Sequence, residues 1–138
     1  MDEIIIFEES YAKVSYIPAK KLVQLIWNGN FTTEEYQKAF VSGLDYQEKS
    51  GVPIYNFLSD TRNQGNVSPE NRKWFESYSL PRAIKQGLRR GAVIFGGSIF
   101  KKFYINLILQ ATNKFKLPFK IFNSIEEAYV WLDSFDDN

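Results

Sequence analysis

The chain has 138 residues, of which 44% are hydrophobic and 24% are charged, and its formal net charge is +1. This length fits a single domain, 1–138, and a net charge so near zero argues against nucleic acid as a partner. No apolar run approaches the roughly 18 residues of a transmembrane helix, so we expect no stable membrane insertion. The sequence contains no His and no Cys. Thiolate nucleophiles and Ser-His-Asp catalysis are therefore excluded, and we expect no metal site and no cofactor.

The aromatic content and the two chain ends add further expectations. Aromatic residues make up 17% of the chain, which is typical of an aromatic-rich core but also of ligand pockets and interfaces. The apolar run near the first residue is too short for a signal peptide, so a cytoplasmic location is the default. Residues 134–138 are predicted to be a frayed tail. With so little net charge the chain is also able to self-associate, and a homodimer is the oligomer we expect.

The first half of the chain predicts an antiparallel β-hairpin, or a short meander if the first apolar run joins it, followed by a helix. Thr32 and Glu35 form the pattern of a capping box at the start of that helix, and Gly51 closes it. The strand-like segments before it, which alternate apolar and polar residues or form a short apolar run, are 3–7, 11–17 and 21–27.

The second half alternates apolar strand-like runs with helical spacing. Pro81, in Leu80-Pro81, is predicted to interrupt the helix that begins at Ser68-Pro69. The predicted strands are 54–59, 92–95 and 119–122, and the other predicted helices are 82–86, about 99–115 and one that follows Ser124. The fold class is therefore α/β. An N-terminal antiparallel β-hairpin leads into a mostly parallel, mixed sheet of about five strands covered by about four or five helices.

Four sequence features carry a resemblance to a known family. They are the strand Leu22–Trp27 with Gly29 and a Thr-Glu-Glu helix start, the strand end Asp60-Thr61-Arg62, the run Leu80-Pro81-Arg82-Ala83 with Gly87 and Arg90, and Phe122-Asn123-Ser124 leading into Trp131-Leu132. With this order of elements the chain resembles the STAS-like family. That family groups anti-sigma-factor antagonists with cytoplasmic domains of sulfate transporters and lies near the lipid-binding CRAL/TRIO domains.

The resemblance covers nearly the whole chain and implies a STAS-like fold. It also implies a non-catalytic regulatory or protein-interaction module whose exact role is unassigned. Phosphorylatable antagonists carry an Asp-Ser-Ser-Gly element where a central strand gives way to a helix. Here the corresponding segment, 59–65, reads Ser-Asp-Thr-Arg-Asn-Gln-Gly, so no phosphorylation switch of that kind is expected.

The end of the central strand is the first candidate site. Ser59, Asp60, Thr61 and Arg62 lie where ligands are usually met in α/β sheets, with Asp60 as an acceptor and Arg62 as a fork for an anion. The structural alternative, which we favour, is that Asp60 pairs with an Arg and Thr61 caps a turn.

Two further candidates are basic or glycine-rich. Gly97 and Ser98 precede a helix and could cradle an anion, although a tight turn with an N-cap explains them equally simply. Arg82 and Arg90, with Lys85, Arg89, Lys101 and Lys102, form a basic cluster in the sequence that fits an acidic partner or a solvated helix face.

Three functions follow from these patterns. The leading hypothesis is the non-catalytic interaction module, with its working surface around 59–68. The first alternative is a carrier or sensor of a small apolar or anionic, lipid-like ligand. That alternative requires an enclosed apolar cavity of roughly several hundred Å³ among the aromatic helices. The second alternative is a His- and Cys-free enzyme with Asp60 as general base, which requires a cleft and a second polar group in reach.

Overall fold

A computed structural model describes residues 2–96 and 99–137, without the side chains of 99–105 and 107. The described residues form one six-stranded sheet in which the strand order follows the chain order. The strands are β1 (Ile4–Glu9), β2 (Ala12–Ile17), β3 (Leu22–Trp27), β4 (Asn56–Asp60), β5 (Arg90–Ile94) and β6 (Phe119–Phe122). Strands β1 to β3 pair antiparallel, and β3 to β6 pair parallel. The predicted α/β class, with its antiparallel start and mostly parallel sheet, is confirmed.

The helices follow the predicted caps closely. Thr32 accepts a hydrogen bond from the Glu35 N–H at 3.1 Å, and the Glu35 carboxylate accepts from the Thr32 N–H at 2.8 Å. Within the described part of the chain, no helix is long and apolar enough to cross a membrane. The helices are α1 (Thr33–Ser50), α2 (Pro69–Trp74), α3 (Leu80–Lys85), α4 (Ile99–Lys114) and α5 (Ile125–Asp133), with a 3-10 turn at Pro18–Lys20.

The predicted interruption at Leu80-Pro81 is wrong. A π-helical turn, Phe75–Ser79, joins α2 to α3, and the helical backbone runs on without a break. In this turn the Leu80 N–H donates to the Phe75 carbonyl, five residues earlier. Pro81 has no N–H to donate, and its ring crowds the carbonyl four residues before it in a regular helix. The wider turn comes immediately before the proline and lets the helix pass it.

Each face of the sheet carries its own apolar core. Side chains alternate across a strand, so Val14, Leu25 and Trp27 lie on one face, here called the aromatic face, and pack with α1. Leu58 and Ile94 lie on the opposite face, here called the α5 face, because Ala128 and Leu132 of α5 cover it. The wide helical turn and α4 belong to the aromatic face, where a third cluster joins Phe75, Leu80, Ile108 and Leu117.

Most of the aromatic excess is explained by the core of the aromatic face. Trp27 is 1% exposed and stacks on Tyr36, with ring centroids 5.2 Å apart. Phe40 contacts both of these rings as well as Phe75. Within the helix that begins at Pro69, Phe75 is 7% exposed and Trp74 packs against this core, as expected of an aromatic-rich core, but Tyr78 is 43% exposed. The side chains of Phe100, Phe103 and Tyr104 on α4 lie outside the described residues.

Two glycines on the aromatic face are expected to respond in opposite ways to alanine. A Cβ on Gly91 would lie 2.3 Å from the Phe119 ring, whereas a Cβ on Gly43, inside α1, would make ordinary contacts with Val23 at 3.4 Å and Val14 at 3.7 Å. Gly91→Ala should therefore destabilise the fold by about 1–3 kcal/mol through overpacking. Gly43→Ala should stabilise it by about 0.5–1 kcal/mol, because glycine is a poor helix residue. Urea unfolding of both variants tests the pair, and equal effects would contradict this account of the packing.

Candidate functional site

The predicted site residues at the carboxyl end of β4 lie on opposite faces of the sheet. Ser59 lies on the aromatic face, where its hydroxyl accepts a hydrogen bond from the Trp27 indole N–H at 3.1 Å. Asp60, the next residue, lies on the α5 face and is 5% exposed. Because consecutive side chains in a strand point to opposite faces, these two groups do not share one site.

Asp60 and Arg62 bind each other. The Arg62 Nε and a terminal guanidinium nitrogen donate to the two Asp60 carboxylate oxygens at 3.0 and 2.7 Å, and the Arg62 backbone N–H donates at 3.2 Å. Hydrogen bonding to Asp60, together with its negative charge, raises the pKa of Arg62. The Arg62 guanidinium, which was predicted to bind an external anion, thus binds the Asp60 carboxylate of the same chain. This arrangement matches the structural interpretation of both residues.

Thr61 and the loop after it tie two strand ends together. The Thr61 hydroxyl donates to the Ile94 carbonyl at 2.7 Å. The Gly65 N–H donates to the Gly29 carbonyl at 2.8 Å, and the Gly29 N–H donates to the Asn63 carbonyl at 2.6 Å. A Cβ on Gly65 would lie 2.9 Å from that Gly29 oxygen, so the close approach requires glycine. The 59–65 segment therefore has an identified structural role. The other candidates at this edge, Gly97 and Ser98, lie outside the described residues.

Arg82 joins α3 to α1. One of its guanidinium nitrogens donates to Asp45 at 2.8 Å and to Glu48 at 2.9 Å, both on α1. Its Nε donates to the Gln86 side chain at 2.9 Å. Burial lowers the pKa of Arg82, but hydrogen bonding to Asp45 and Tyr78 outweighs it, and the net shift is upward. Arg82 thus remains a paired cation on the outer side of the helical layer.

Arg90 lies elsewhere, at the amino end of β5 on the α5 face. It is 4% exposed and donates to the Asn56 side-chain oxygen at 2.8 Å. It also donates to both carboxylate oxygens of Asp137, at 3.0 and 2.6 Å. The Phe135 ring centroid lies 4.1 Å from its guanidinium carbon. Arg82 and Arg90 therefore do not share one surface, which contradicts that part of the predicted basic cluster. The side chains of Lys101 and Lys102, the other part of that cluster, lie outside the described residues.

The prediction of a frayed tail is also wrong for residues 134–137. A buried guanidinium requires an anionic partner, because an isolated charge in the interior is costly. Asp137 supplies that charge, and Phe135 packs edge-on against Trp131 with ring centroids 5.2 Å apart. Immediately before this segment, Asp133 ends α5, and its carboxylate pairs with the Lys20 ammonium at 2.6 Å.

Acid should weaken the contact between Arg90 and Asp137. The hydrogen bond from Arg90 has the largest effect on the pKa of Asp137 and lowers it. Burial opposes this with the next largest effect, and the hydrogen bond from Arg89 then adds to the lowering, so the net shift is downward. A carboxyl whose pKa is lower in the folded state stabilises the fold above its unfolded pKa of about 3.9, and this contribution is lost as pH falls through the folded value. Urea midpoints of the native chain and Asp137→Asn should therefore differ at pH 6 and converge between about pH 4 and pH 2. A constant difference would contradict the assignment.

A wide cleft opens between the end of α1 and α3, and we call it the α1–α3 cleft. Its volume is about 660 Å³, within the range of ligand-binding clefts. The Gln86 amide spans one side of it, donating to the Leu44 carbonyl at 3.2 Å and to the Gln47 side chain at 3.1 Å. The residues that line the cleft combine charged, amide and apolar groups: Gln47, Glu48, Gly51, Val52, Pro53, Ile54, Tyr55, Arg82, Lys85 and Gln86.

Two small apolar cavities lie deeper, between the aromatic face and the helices. The larger is about 60 Å³ and shares Gln47 and Ile54 with the α1–α3 cleft, so it lies directly beneath it. The smaller is about 30 Å³. Both are far below the volume that a lipid-like ligand requires. The same four aromatic side chains line both cavities: Phe40, Phe57, Phe75 and Phe119.

The identification that the structure supports is the class of fold. The described part of the chain is a mixed α/β sheet with helices on both faces. Comparisons with protein-family models, with curated proteins and with solved structures give no match. Among the described residues no group of three or more carboxylates is arranged to hold a metal ion.

The sequence analysis named Arg82 and Lys85, which line the α1–α3 cleft, but it missed the rest of the cleft and the contact between Arg90 and Asp137. Gly51 was predicted only to close α1, yet residues 51–55 form one wall of the cleft. Five residues separate the end of α1 from the start of β4. A connection of this length at the surface is a sequence feature that could have indicated a cleft beside it. Asp137 carried no local signal, since its partner lies 47 residues away.

Proposed function

We propose that this protein is a non-catalytic, STAS-like interaction module that binds a segment of a protein partner in the α1–α3 cleft. The observation that carries the proposal is the cleft itself, about 660 Å³ and open to solvent. Its walls come from a helix end, a loop and a second helix, three elements fixed by the sheet. A regulatory role in the cytoplasm is part of the same proposal.

The chemistry of the cleft suits a polypeptide segment. Val52 offers apolar contact, and the Gln47 amide, which donates one N–H to the Gln86 carbonyl, has a second N–H for a peptide backbone. Lys85 is exposed and lines the cleft, where a basic side chain can attract acidic residues of a partner. A surface that combines apolar, amide and charged groups is typical of protein–protein recognition.

The carboxyl end of β4 supports a non-catalytic role. A general base must have a free carboxylate within reach of a substrate proton. The Asp60 side chain is 7% exposed and binds Arg62 through both oxygens. In the cleft, the Glu48 carboxylate is held by Arg82 at 2.9 Å. Both acidic groups near the candidate surfaces therefore serve the fold in this conformation.

Affinity capture followed by binding to the purified partner tests the proposal. The cleft variant is Val52→Glu with Lys85→Glu, and the control is Lys73→Glu, which reverses the charge of an exposed lysine on α2 outside the cleft lining. Loss of central contacts in an interface costs more than about 1.4 kcal/mol, which is tenfold in affinity. A partner captured by the native chain should bind the cleft variant at least about tenfold more weakly and the control within about twofold. Equal binding to all three proteins would overturn the proposal.

The cavity beneath the cleft leaves one second candidate, a sensor of an apolar ligand much smaller than the lipid-like one that the sequence suggested. Its volume of about 60 Å³ exceeds the space of one water molecule, and its lining is mostly apolar. It is well below the roughly 150 Å³ of a cavity that binds benzene, so it accepts neither an aromatic ring nor an acyl chain. Native mass spectrometry of gently purified protein should then show a small bound species, and a mass equal to the bare chain would count against this candidate.

A further inference from the structure

Arg89 and Arg90 hold one carboxylate between them at the amino end of β5. Asp137 accepts hydrogen bonds from Arg90 at 2.6 and 3.0 Å and from Arg89 at 3.2 Å. The Arg89 guanidinium also donates to the Asp137 backbone carbonyl at 3.4 Å. Arg90 is fixed from behind by Asn56, whose side-chain oxygen accepts from it at 2.8 Å. Two guanidinium groups thus converge on a single anionic group.

A single carboxylate is shared by the two arginines. Among the ion pairs of the described residues, Asp137 is the partner of both Arg89 and Arg90. The Arg90 Nε is buried and has no hydrogen-bond partner within the described structure. An anion with more charge and more oxygens than a carboxylate would satisfy these groups more fully.

The contacts of Phe135 and Asp137 indicate which ligand chemistry would suit these arginines. Phe135 places an aromatic ring 4.1 Å from the Arg90 guanidinium carbon, and Asp137, two residues on, places its anionic group on the guanidinium nitrogens. The contacts described for these two residues are made to the side chains of Arg89, Arg90 and Trp131. Phe135 is also 37% exposed. Side-chain contacts of this kind can be exchanged for a ligand without breaking the sheet.

We propose that Arg89, Arg90 and Asn56 form a binding site for an aryl phosphate, and that Phe135 and Asp137 occupy it in this conformation as an internal substitute. The aryl ring would take the place of Phe135 on the guanidinium plane. The phosphate would take the place of the carboxylate, and its third oxygen would be available to the Arg90 Nε. This site is distinct from the α1–α3 cleft, and it goes beyond the function proposed above.

Titration calorimetry with phenyl phosphate tests the site. Asp137→Asn removes the internal anion, so phenyl phosphate should bind this variant at least about tenfold more tightly than the native chain. Adding Arg89→Gln to Asp137→Asn should weaken binding at least about tenfold, because one of the two guanidinium groups is lost. Arg89 is the suitable residue to change, since its side chain is 43% exposed and its loss leaves the buried Arg90 in place. Inorganic phosphate should bind more weakly than phenyl phosphate, because it lacks the ring.

Two further measurements keep the proposal falsifiable. Phe135→Ser removes the ring from the Arg90 guanidinium and keeps both arginines. This variant should also bind phenyl phosphate more tightly than the native chain. A tripeptide with a central phosphotyrosine distinguishes two sources of the aryl phosphate. If the tripeptide binds more tightly than phenyl phosphate, the ligand is a phosphorylated protein. If it binds more weakly, the ligand is a small molecule. The cleft variant Val52→Glu with Lys85→Glu should bind phenyl phosphate as the native chain does. If neither Asp137→Asn nor Phe135→Ser binds more tightly than the native chain, or if Arg89→Gln has no effect, the proposal is wrong.

Discussion

Trp27→Ala is expected to lower the free energy of unfolding by about 3–5 kcal/mol, the usual cost of removing a large aromatic side chain from a core. Trp27 is 1% exposed, and its ring lies within 5.7 Å, between centroids, of three other aromatic rings. Its removal would leave a cavity between β3 and α1. It would also leave the Ser59 hydroxyl without the indole N–H that it accepts. Urea unfolding followed by circular dichroism measures the loss.

Trp27→Phe separates the two contributions. It keeps most of the apolar ring and removes the hydrogen bond to Ser59, which is 7% exposed. A single buried hydrogen bond and a smaller ring should cost about 1–2 kcal/mol. A loss below about 1.5 kcal/mol for Trp27→Ala would show that this cluster is not the main support of the aromatic face.

Arg90→Met is expected to cost about 2–4 kcal/mol, close to the range for breaking a buried ion pair. Methionine keeps the apolar length of the side chain but removes every donor. The Asn56 oxygen loses a bond of 2.8 Å, and the Asp137 carboxylate loses its two strongest contacts. Asp137 can turn toward water, because its side chain is 19% exposed, which places the cost below that of a fully buried pair.

Arg89→Met is the matched control for this prediction. Arg89 is the neighbouring arginine on the same carboxylate, but its side chain is 43% exposed. Exposed ion pairs contribute about 0–1 kcal/mol, so this variant should unfold close to the native midpoint. Equal losses for the two variants in urea unfolding would mean that burial does not distinguish the two arginines.

The local features of the fold were predictable from the sequence because their causes are local. Thr32 and Glu35 lie three residues apart and cap α1 by contacts within that distance. The last strand, 119–122, is an apolar run bounded by Pro118 and Asn123, and its observed bounds are the predicted ones. The helix across Leu80-Pro81 was not predictable in this way. A π-helical turn depends on the surroundings of Phe75 and Leu80, which pack with α4 and with Leu117.

The candidate site was less predictable because its contacts join distant parts of the chain. Alternation along β4 already implied that Ser59 and Asp60 face opposite ways, and this signal was available in the sequence. The ion pair of Arg90 and Asp137 spans 47 residues, and the Arg82 bond to Asp45 spans 37. The residues next to an arginine in a strand do not identify its ion-pair partner. The tertiary structure was therefore needed to show that Arg90 is buried and paired.

We propose that recognition takes place in the α1–α3 cleft and not at the carboxyl end of β4. Amide chemical-shift mapping with a captured and purified partner distinguishes these two surfaces. The perturbed amides should cluster at residues 47–55 and 82–86, and Asp60→Ala with Arg62→Ala should leave the affinity within about twofold in a variant shown to be folded. Perturbations concentrated at residues 59–68, with the cleft residues unchanged, would contradict it.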